Sequence, residues 1–306
     1  MKRREFMRTI AWSGAALPLA PSWLGSGQAS TPAKAAAAPG LPDLGVGLGD
    51  SPKAITKAAL DALGGMGKFV GRGDVVLIKP NIGWDRTPEL AACTNPEVVA
   101  SLIEMCQNAG AKKVIVMDNS INEAKRCYIR SGIKAAAEAA GASVLYTNDQ
   151  HLKKMPIKGE WIKDWEVYSD FLEADVFINA PIAKHHSLSR VTLGMKNLLG
   201  AVGGPRNQMH QGIDRVLVDL AGFFKPKLTV LDAYRMLTRN GPQGGRPSDT
   251  KLLKTVVAGR DIVAVDAMGA TFFEIPPREL PFLKIAADRG LGRFDLEKLK
   301  IEKRTV

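Results

Sequence analysis

Asp74-Val75-Val76-Leu77-Ile78-Lys79-Pro80-Asn81, followed by Thr94-Asn95-Pro96 and an apolar-periodic run ending at Gly110, decides the fold. Four successive branched apolar residues read as a strand buried on both faces, the habit of parallel sheets. Asn95 and Pro96 are an N-cap and first-turn pair. Val98, Val99, Leu102, Ile103 and Cys106 then repeat at helical spacing. Lys113 to Asp118 returns to a strand, so the unit is strand, crossover helix and strand.

The same alternation continues outward. Gly45-Val46-Gly47-Leu48-Gly49 marks a first strand and its turn, and Ser51-Pro52 opens a helix that Gly64-Gly65 closes. A helix is expected over 122–140, then a strand from Ser143 to Tyr146. An irregular insert with Trp161 and Trp165 around 150–170 suits a small hairpin or flap. Asp175 to Asn179 is a fourth buried strand, with Lys184-His185-His186 in a loop beyond it. A helix over 212–224, strands over Lys227–Asp232 and Lys254–Ala258, a helix from Asp261 to Phe273 and another from Glu279 to Arg289 complete the chain. The fold class is α/β: a mostly parallel sheet with helices on both faces, Rossmann-like and three-layered.

The 306 residues carry 24% charged and 45% hydrophobic side chains, globular proportions that argue against disorder. Lys2-Arg3-Arg4-Glu5-Phe6-Met7-Arg8 has paired arginines, a phenylalanine and a further basic residue, close to the twin-arginine (Tat) export signal; Arg3, Arg4 and Phe6 are its targeting residues. The weakly apolar stretch from Thr9 to Leu24, broken by Pro18 and Pro21, is too short to span a bilayer, and no transmembrane helix is expected in the mature chain. Residues 1–29 therefore read as a Tat signal peptide, 30–42 as an Ala/Pro-rich linker and 43–306 as a single α/β domain. The expected location is periplasmic or otherwise extracytoplasmic, with the Tat translocase as a partner during export. Of the net charge of +11, Lys2, Arg3, Arg4 and Arg8 against Glu5 contribute +3, leaving +8 elsewhere. No run of five basic residues and no basic–aromatic alternation occurs, so the excess reads as a solvated surface rather than a nucleic-acid site. Cys93, Cys106 and Cys127 form no Cys-x-x-Cys, hence no iron–sulfur or zinc motif; a disulfide, at most, joins Cys93 to Cys127.

Open parallel sheets bind ligands beyond the carboxyl ends of their strands. There the sequence places Lys79 and Asn81, Asp118, Asn179, Lys184 and His186, and Asp232. Lys79, ending an apolar strand, either holds an anion or pairs with Asp118. Thr94 and Asn95 stand at a helix N-terminus, as anion site or plain cap. Neighbouring histidines in strand geometry point apart, so one of His185 and His186 faces a site. Lys196 and Asn197 sit in the apolar, glycine-punctuated run Thr192–Gly200, where a lysine becomes a base or nucleophile, or else snorkels from a surface helix. His210 follows the Gly203-Gly204-Pro205 loop. Asp266, inside an apolar helix, requires a partner, most simply as a salt bridge or cap. No P-loop, G-x-S-x-G, H-E-x-x-H or dinucleotide fingerprint occurs.

The series Ile78-Lys79-Pro80-Asn81, Thr94-Asn95-Pro96, Gly110-Ala111-Lys112-Lys113-Val114, Lys184-x-His186, Thr192-x-x-x-Lys196-Asn197-x-x-Gly200, Asn240-Gly241-Pro242 and Asp261-x-x-Ala264-Val265-Asp266 resembles the domain-of-unknown-function 362 family over about residues 44–295. The resemblance implies a common site of Lys79, Asn81, Lys184, His186, Lys196 and Asn197. It also fits the Tat leader; relatives that add a ferredoxin-type domain have cysteines this chain lacks. It names no reaction and no cofactor. The expectation is an exported protein that acts on, or binds, a small anionic ligand, with a redox or metal cofactor loaded before export as an option. Lys196 and His186 would move a proton, with Lys79, Asn81, Thr94, Asp118, Lys184, Asn197, His210 and Asp232 around the ligand. The alternative is a non-catalytic ligand-binding or accessory protein of an exported redox pathway.

Overall fold

Branched apolar runs fill the middle of one mixed sheet, and helices cover both of its faces. The computed structural model describes residues 40–306; the leader with Arg3, Arg4 and Phe6, and the linker up to residue 39, lie outside them. The strands are β1 Leu44–Leu48, β2 Val75–Pro80, β3 Lys113–Val116, β4 Ser143–Val144, β5 Leu152–Pro156, β6 Asp164–Tyr168, β7 Val176–Ala180, β8 Ile182–His186, β9 Arg190–Thr192, β10 Leu228–Leu237, β11 Thr250–Gly259 and β12 Ile301–Thr305. The helices are α1 Pro52–Ala62, α2 Pro96–Asn108, α3 Ala124–Arg130, α4 Ile133–Ala139, α5 Asp170–Glu173, α6 Gly194–Asn197, α7 Ile213–Phe224, α8 Ile262–Thr271 and α9 Pro281–Asp288, with short 3-10 turns between.

The main sheet runs β12-β1-β11-β10-β7-β2-β3-β4, with β8 beside β10 and β9 beside β8. From β10 through β7, β2, β3 and β4 every neighbour is parallel. β11 is antiparallel to both β1 and β10, because a loop rather than a crossover helix joins β10 to β11. The chain steps from β2 out to β3 and β4, then returns to place β7 on the other side of β2. The boundary between β2 and β7 is therefore the switch point of the sheet, where Lys79 lies opposite Asn179 and Pro80 opposite Ala180.

Alternate strand residues feed two cores. Val76 and Ile78 pack with Ile55 and Leu60 of α1, Val99 and Leu102 of α2 and Ile133 of α4. Leu77, Phe177 and Leu231 pack on the opposite side with Leu217 and Phe224 of α7 and Val263 of α8. This is the expected three-layer arrangement.

Several local expectations change. The helix over 122–140 is two helices, since Gly132 takes a left-handed φ of 74° between α3 and α4. Lys184, His185 and His186 lie in strand β8 rather than a loop, because β9 folds back on it and pairs Lys184 with Thr192 and His186 with Arg190. β10 and β11 each run to ten residues, and β12 adds an edge beside β1 that the sequence did not announce. Cys93 and Cys127 are buried free thiols, as is Cys106, so no disulfide joins them.

The insert is the antiparallel hairpin β5–β6. Its turn is pinned by Asp219 of α7, whose buried carboxylate accepts backbone N–H groups of Glu160, Trp161 and Ile162 at 2.8–2.9 Å and pairs with Arg289 at 2.6 Å. Removing it strands three donors and a guanidinium. Asp219→Ala is expected to cost about 3–5 kcal/mol. Denaturant unfolding gives that number, and limited proteolysis should show new cleavage at residues 157–163.

Candidate functional site

At the switch point, the ends of β2, β3 and β8 and the segment after β9 enclose a cavity of about 520 Å³. Four cationic side chains line it, Lys79, Lys184, Lys196 and Arg206, against one carboxylate, Asp118. The carboxylate is already committed. Asp118 contacts the Lys79 ammonium at 2.6 Å through Oδ1, and its Oδ2 accepts the Ile82 N–H at 2.6 Å. Burial pulls the Lys79 pKa down and Asp118 partly restores it. Gly200 lies directly over this pair: a Cβ there would sit 2.0 Å from Asp118 Oδ1 and 2.7 Å from Lys79 Nζ. The backbone can pass so close only without a side chain.

Lys184 begins a chain of amides whose direction is fixed by charge. An ammonium only donates, so the oxygen of Asn81 must face Lys184 Nζ, at 3.0 Å. Asn81 Nδ2 then donates to Asn197 Oδ1 (3.0 Å), Asn197 Nδ2 to Asn179 Oδ1 (2.9 Å), and Asn179 Nδ2 to the Gly194 carbonyl (2.9 Å). Lys184 also donates to the Ala92 carbonyl, and burial lowers its pKa to about 8. At the far end Asp266 caps α6, accepting from Gly194 N (2.6 Å) and Met195 N (2.9 Å); burial raises its pKa to about 7. The cap expected of Asp266 is present, and it holds the helix that carries Lys196.

Lys196 is buried, not a snorkelling surface lysine. Burial, then the nearby charges of Lys184 and Arg206, lower its pKa to about 7. Its Nζ meets His210 Nε2 at 3.3 Å. Burial, then the charge of Lys196, lowers the His210 pKa, and backbone hydrogen bonding at Asn207 and Arg206 opposes the fall. His186 points into the same cavity; its Nδ1 accepts backbone N–H groups of Leu188 and Ser189 at 3.1 and 3.4 Å. Its single proton therefore sits on Nε2. Burial, followed by the lysine charges, lowers its pKa to about 3, so the ring is neutral at ordinary pH. The rings of His186 and His210 lie near parallel with centroids 6.1 Å apart. His185, on the other face of β8, instead accepts the Gly241 N–H at 3.1 Å, beside the cis Gly241–Pro242 bond.

Lys79, Asn81, Asp118, Lys184, His186, Lys196, Asn197 and His210 thus line one cavity. Thr94 and Asp232 do not reach it. Thr94 ties β2 to β7 by accepting from Asn81 N and donating to the Ala180 carbonyl, both at 2.8 Å. Asp232 is buried with its pKa raised to about 6; it accepts from Asn95 N and Tyr234 N, while Asn95 caps Glu97 N. Asn95 therefore serves the N-terminus of α2 as a plain cap. Arg206 was not singled out from sequence. Its guanidinium braces the Gly203–Pro205 loop by donating to the carbonyls of Asn119 and Ser120 at 2.9 Å, and the Gly-Gly-Pro just before it is the signal that marks such a strapped loop. Among the described residues, no group of three or more His, Cys, Asp or Glu side chains is placed to hold a metal ion. No described helix is long and apolar enough to cross a membrane.

Fold and site define an α/β protein with a cation-rich cavity at the switch point of its sheet. Residues 76–271 match the family described as "Domain of unknown function (DUF362)", and the chain belongs to that family. It is 30% identical over 244 residues to the thylakoid-associated protein sll1697 of Synechocystis, covering 77% of this chain and 74% of that protein. Among solved structures it is similar to the lactate racemase apoprotein of Thermoanaerobacterium thermosaccharolyticum, at 14% identity and a TM-score of 0.48, over 74% of this chain and 56% of that one. A Thermotoga maritima protein is similar at 11% identity and a TM-score of 0.40, over 77% and 59%. The chain spans a little over half the length of these two structures.

Gly200→Ala forces a methyl into the Lys79–Asp118 pair. It is expected to cost about 1–3 kcal/mol, measured by denaturant unfolding, and to weaken whatever the cavity binds.

Proposed function

We propose that this is an exported protein whose cavity binds a small molecule through an oxyanion, and that Lys196 and His186 transfer a proton on it. The observation that carries the reading is the Lys196 ammonium: buried in the cavity wall, flanked by other cations and, among the described residues, meeting a neutral imidazole rather than a carboxylate. One pKa unit corresponds to about 1.4 kcal/mol, so a fall from 10.5 to about 7 stores on the order of 5 kcal/mol that an arriving anion relieves. Lys184 and Arg206 are held by protein groups and set the positive field, Lys79 being balanced by Asp118; Lys196 is placed to meet the ligand.

The same geometry supports proton transfer. Burial keeps the Lys196 pKa low enough for a fraction of the complex to carry the free amine as base, a fraction that grows with pH because the bound anion favours the ammonium. The Nε2–H of neutral His186 can donate to an oxygen on which negative charge develops. The alternative, a ligand-binding or accessory protein of an exported redox pathway, uses the same cations without the proton step.

Calorimetric titration with small carboxylates, fully ionised throughout, tests the binding. A bound anion favours the charged lysine, so binding takes up protons above pH 7. Affinity is expected to be level below pH 7 and to fall by up to tenfold per unit above it. Lys196→Met should flatten this profile; a profile already flat in the wild type sinks the assignment. Incubation in D2O with a panel of small carboxylic acids, read by NMR, tests proton transfer. Deuterium incorporation lost in His186→Gln with binding retained supports the enzyme; tight binding with no incorporation anywhere favours the accessory reading.

Export rests on the leader alone. The thylakoid association named for the Synechocystis protein belongs to that protein. Replacing Arg3 and Arg4 by lysines is expected to leave the chain unprocessed in the cytoplasm of a Tat-competent host, seen by fractionation.

A further inference from the structure

The mouth of the cavity has a different chemistry from its floor. Among the described residues, six large apolar side chains are exposed, and two of them, Ile121 (57%) and Leu188 (66%), line this cavity. They come from separate segments, the loop after β3 and the turn between β8 and β9, so chain proximity does not explain their meeting. Each is an apolar residue in a polar turn, Asn119-Ser120-Ile121-Asn122 and Ser187-Leu188-Ser189, where a solvated side chain would be the ordinary occupant. Half-buried Trp84 and Pro242 line the same cavity. The placement is not slack. Ile121 N donates to the Gly83 carbonyl at 2.9 Å, and Leu188 N donates to His186 Nδ1 at 3.1 Å. The backbone that sets the tautomer of His186 thus also presents Leu188 at the rim.

Scattered exposed apolar residues need no explanation, but apolar residues from separate loops gathered at the mouth of a charged cavity mark a binding surface. We infer that the ligand is a soluble amphiphile, an oxyanion seated at Lys196 and joined to an apolar body that lies across Ile121 and Leu188. The inference rests on the anion reading of this cavity and adds the class of molecule. A bare phosphate or acetate leaves the rim wet. A body of several carbons covers it and shields the lysines from water, which strengthens their hold on the oxyanion. A cavity of about 520 Å³ fits a small molecule of this kind.

The test is calorimetric titration of the protein, purified as it is exported, with acetate, butyrate, hexanoate and octanoate, with hexanol as the uncharged control. Affinity is expected to rise by about two- to fourfold per added methylene up to hexanoate, and hexanol should bind far more weakly than hexanoate. In Leu188→Ser and Ile121→Ser the gain per methylene should shrink, whereas Lys196→Met should weaken every member by a similar factor and leave the gain intact. Equal affinity for acetate and hexanoate overturns the amphiphile and leaves the anion site standing. Hexanol binding as well as hexanoate overturns the linkage of head to body. Sedimentation with phosphatidylglycerol vesicles, without binding of any soluble member, also overturns it. Failure of every carboxylate, acetate included, removes the anion site itself.

Discussion

An ammonium at the end of a strand buried on both faces has to meet a carboxylate, and here Lys79 meets Asp118 across the ends of β2 and β3. The contact is dry, so separating the partners would leave a bare charge in the interior. Much of the site's backbone is arranged around it. Asp118 also holds Ile82, which turns the chain after β2. Tyr128 hydrogen-bonds the Asp118 backbone and ties α3 to the same loop. Gly200 allows the segment after α6 to close over the pair.

From that anchor the polarity of the rest follows. With Asp118 paired to Lys79, the hydrogen bonds of Lys184 go to neutral oxygens, those of Asn81 and the Ala92 carbonyl. Its donor-only chemistry orients three asparagines in one direction, and the last of them reaches the carbonyl end of the turn into α6. That helix is short and would not form alone; Asp266 and Asn179 hold its two sides. Lys196 projects from it into a region already positive, which accounts for its lowered pKa and for the affinity for anions that the cavity should have.

The sheet decides where these groups meet. Because β2 is flanked by β3 on one side and β7 on the other, the loops leaving its neighbours diverge and open a crevice. The antiparallel half, β1, β11 and β10, contributes scaffold, and through the β10–β11 loop it supplies Pro242 to the mouth. The β5–β6 hairpin reaches the same region from outside: Val167 bridges to Val202, and the Trp165 indole donates to the Gly203 carbonyl, steadying the loop that carries Arg206.

Sequence alone determined the layers and named most of the polar residues that line the cavity. The run 75–78 required burial on both faces, the Asn95-Pro96 cap placed its helix, and polar residues at strand ends had to share one edge once the sheet was parallel. Lys79, Asn81, Lys184, Lys196 and Asn197 were legible because cations and amides in apolar stretches have few other reasons to be there. Only the tertiary structure decided which of those residues face the cavity and which stand behind it. Thr94 and Asp232 have the same local signature as Asn81, yet their hydrogen bonds are spent on backbone. That Lys184-His185-His186 is a strand came from pairing with β9, a contact no local pattern announces, and only the tertiary structure decided that His186 rather than His185 faces the cavity. The apolar rim was illegible for the same reason: Ile121 and Leu188 acquire meaning only when two distant loops are brought together, and loop approach is set by long-range packing rather than by any local spacing.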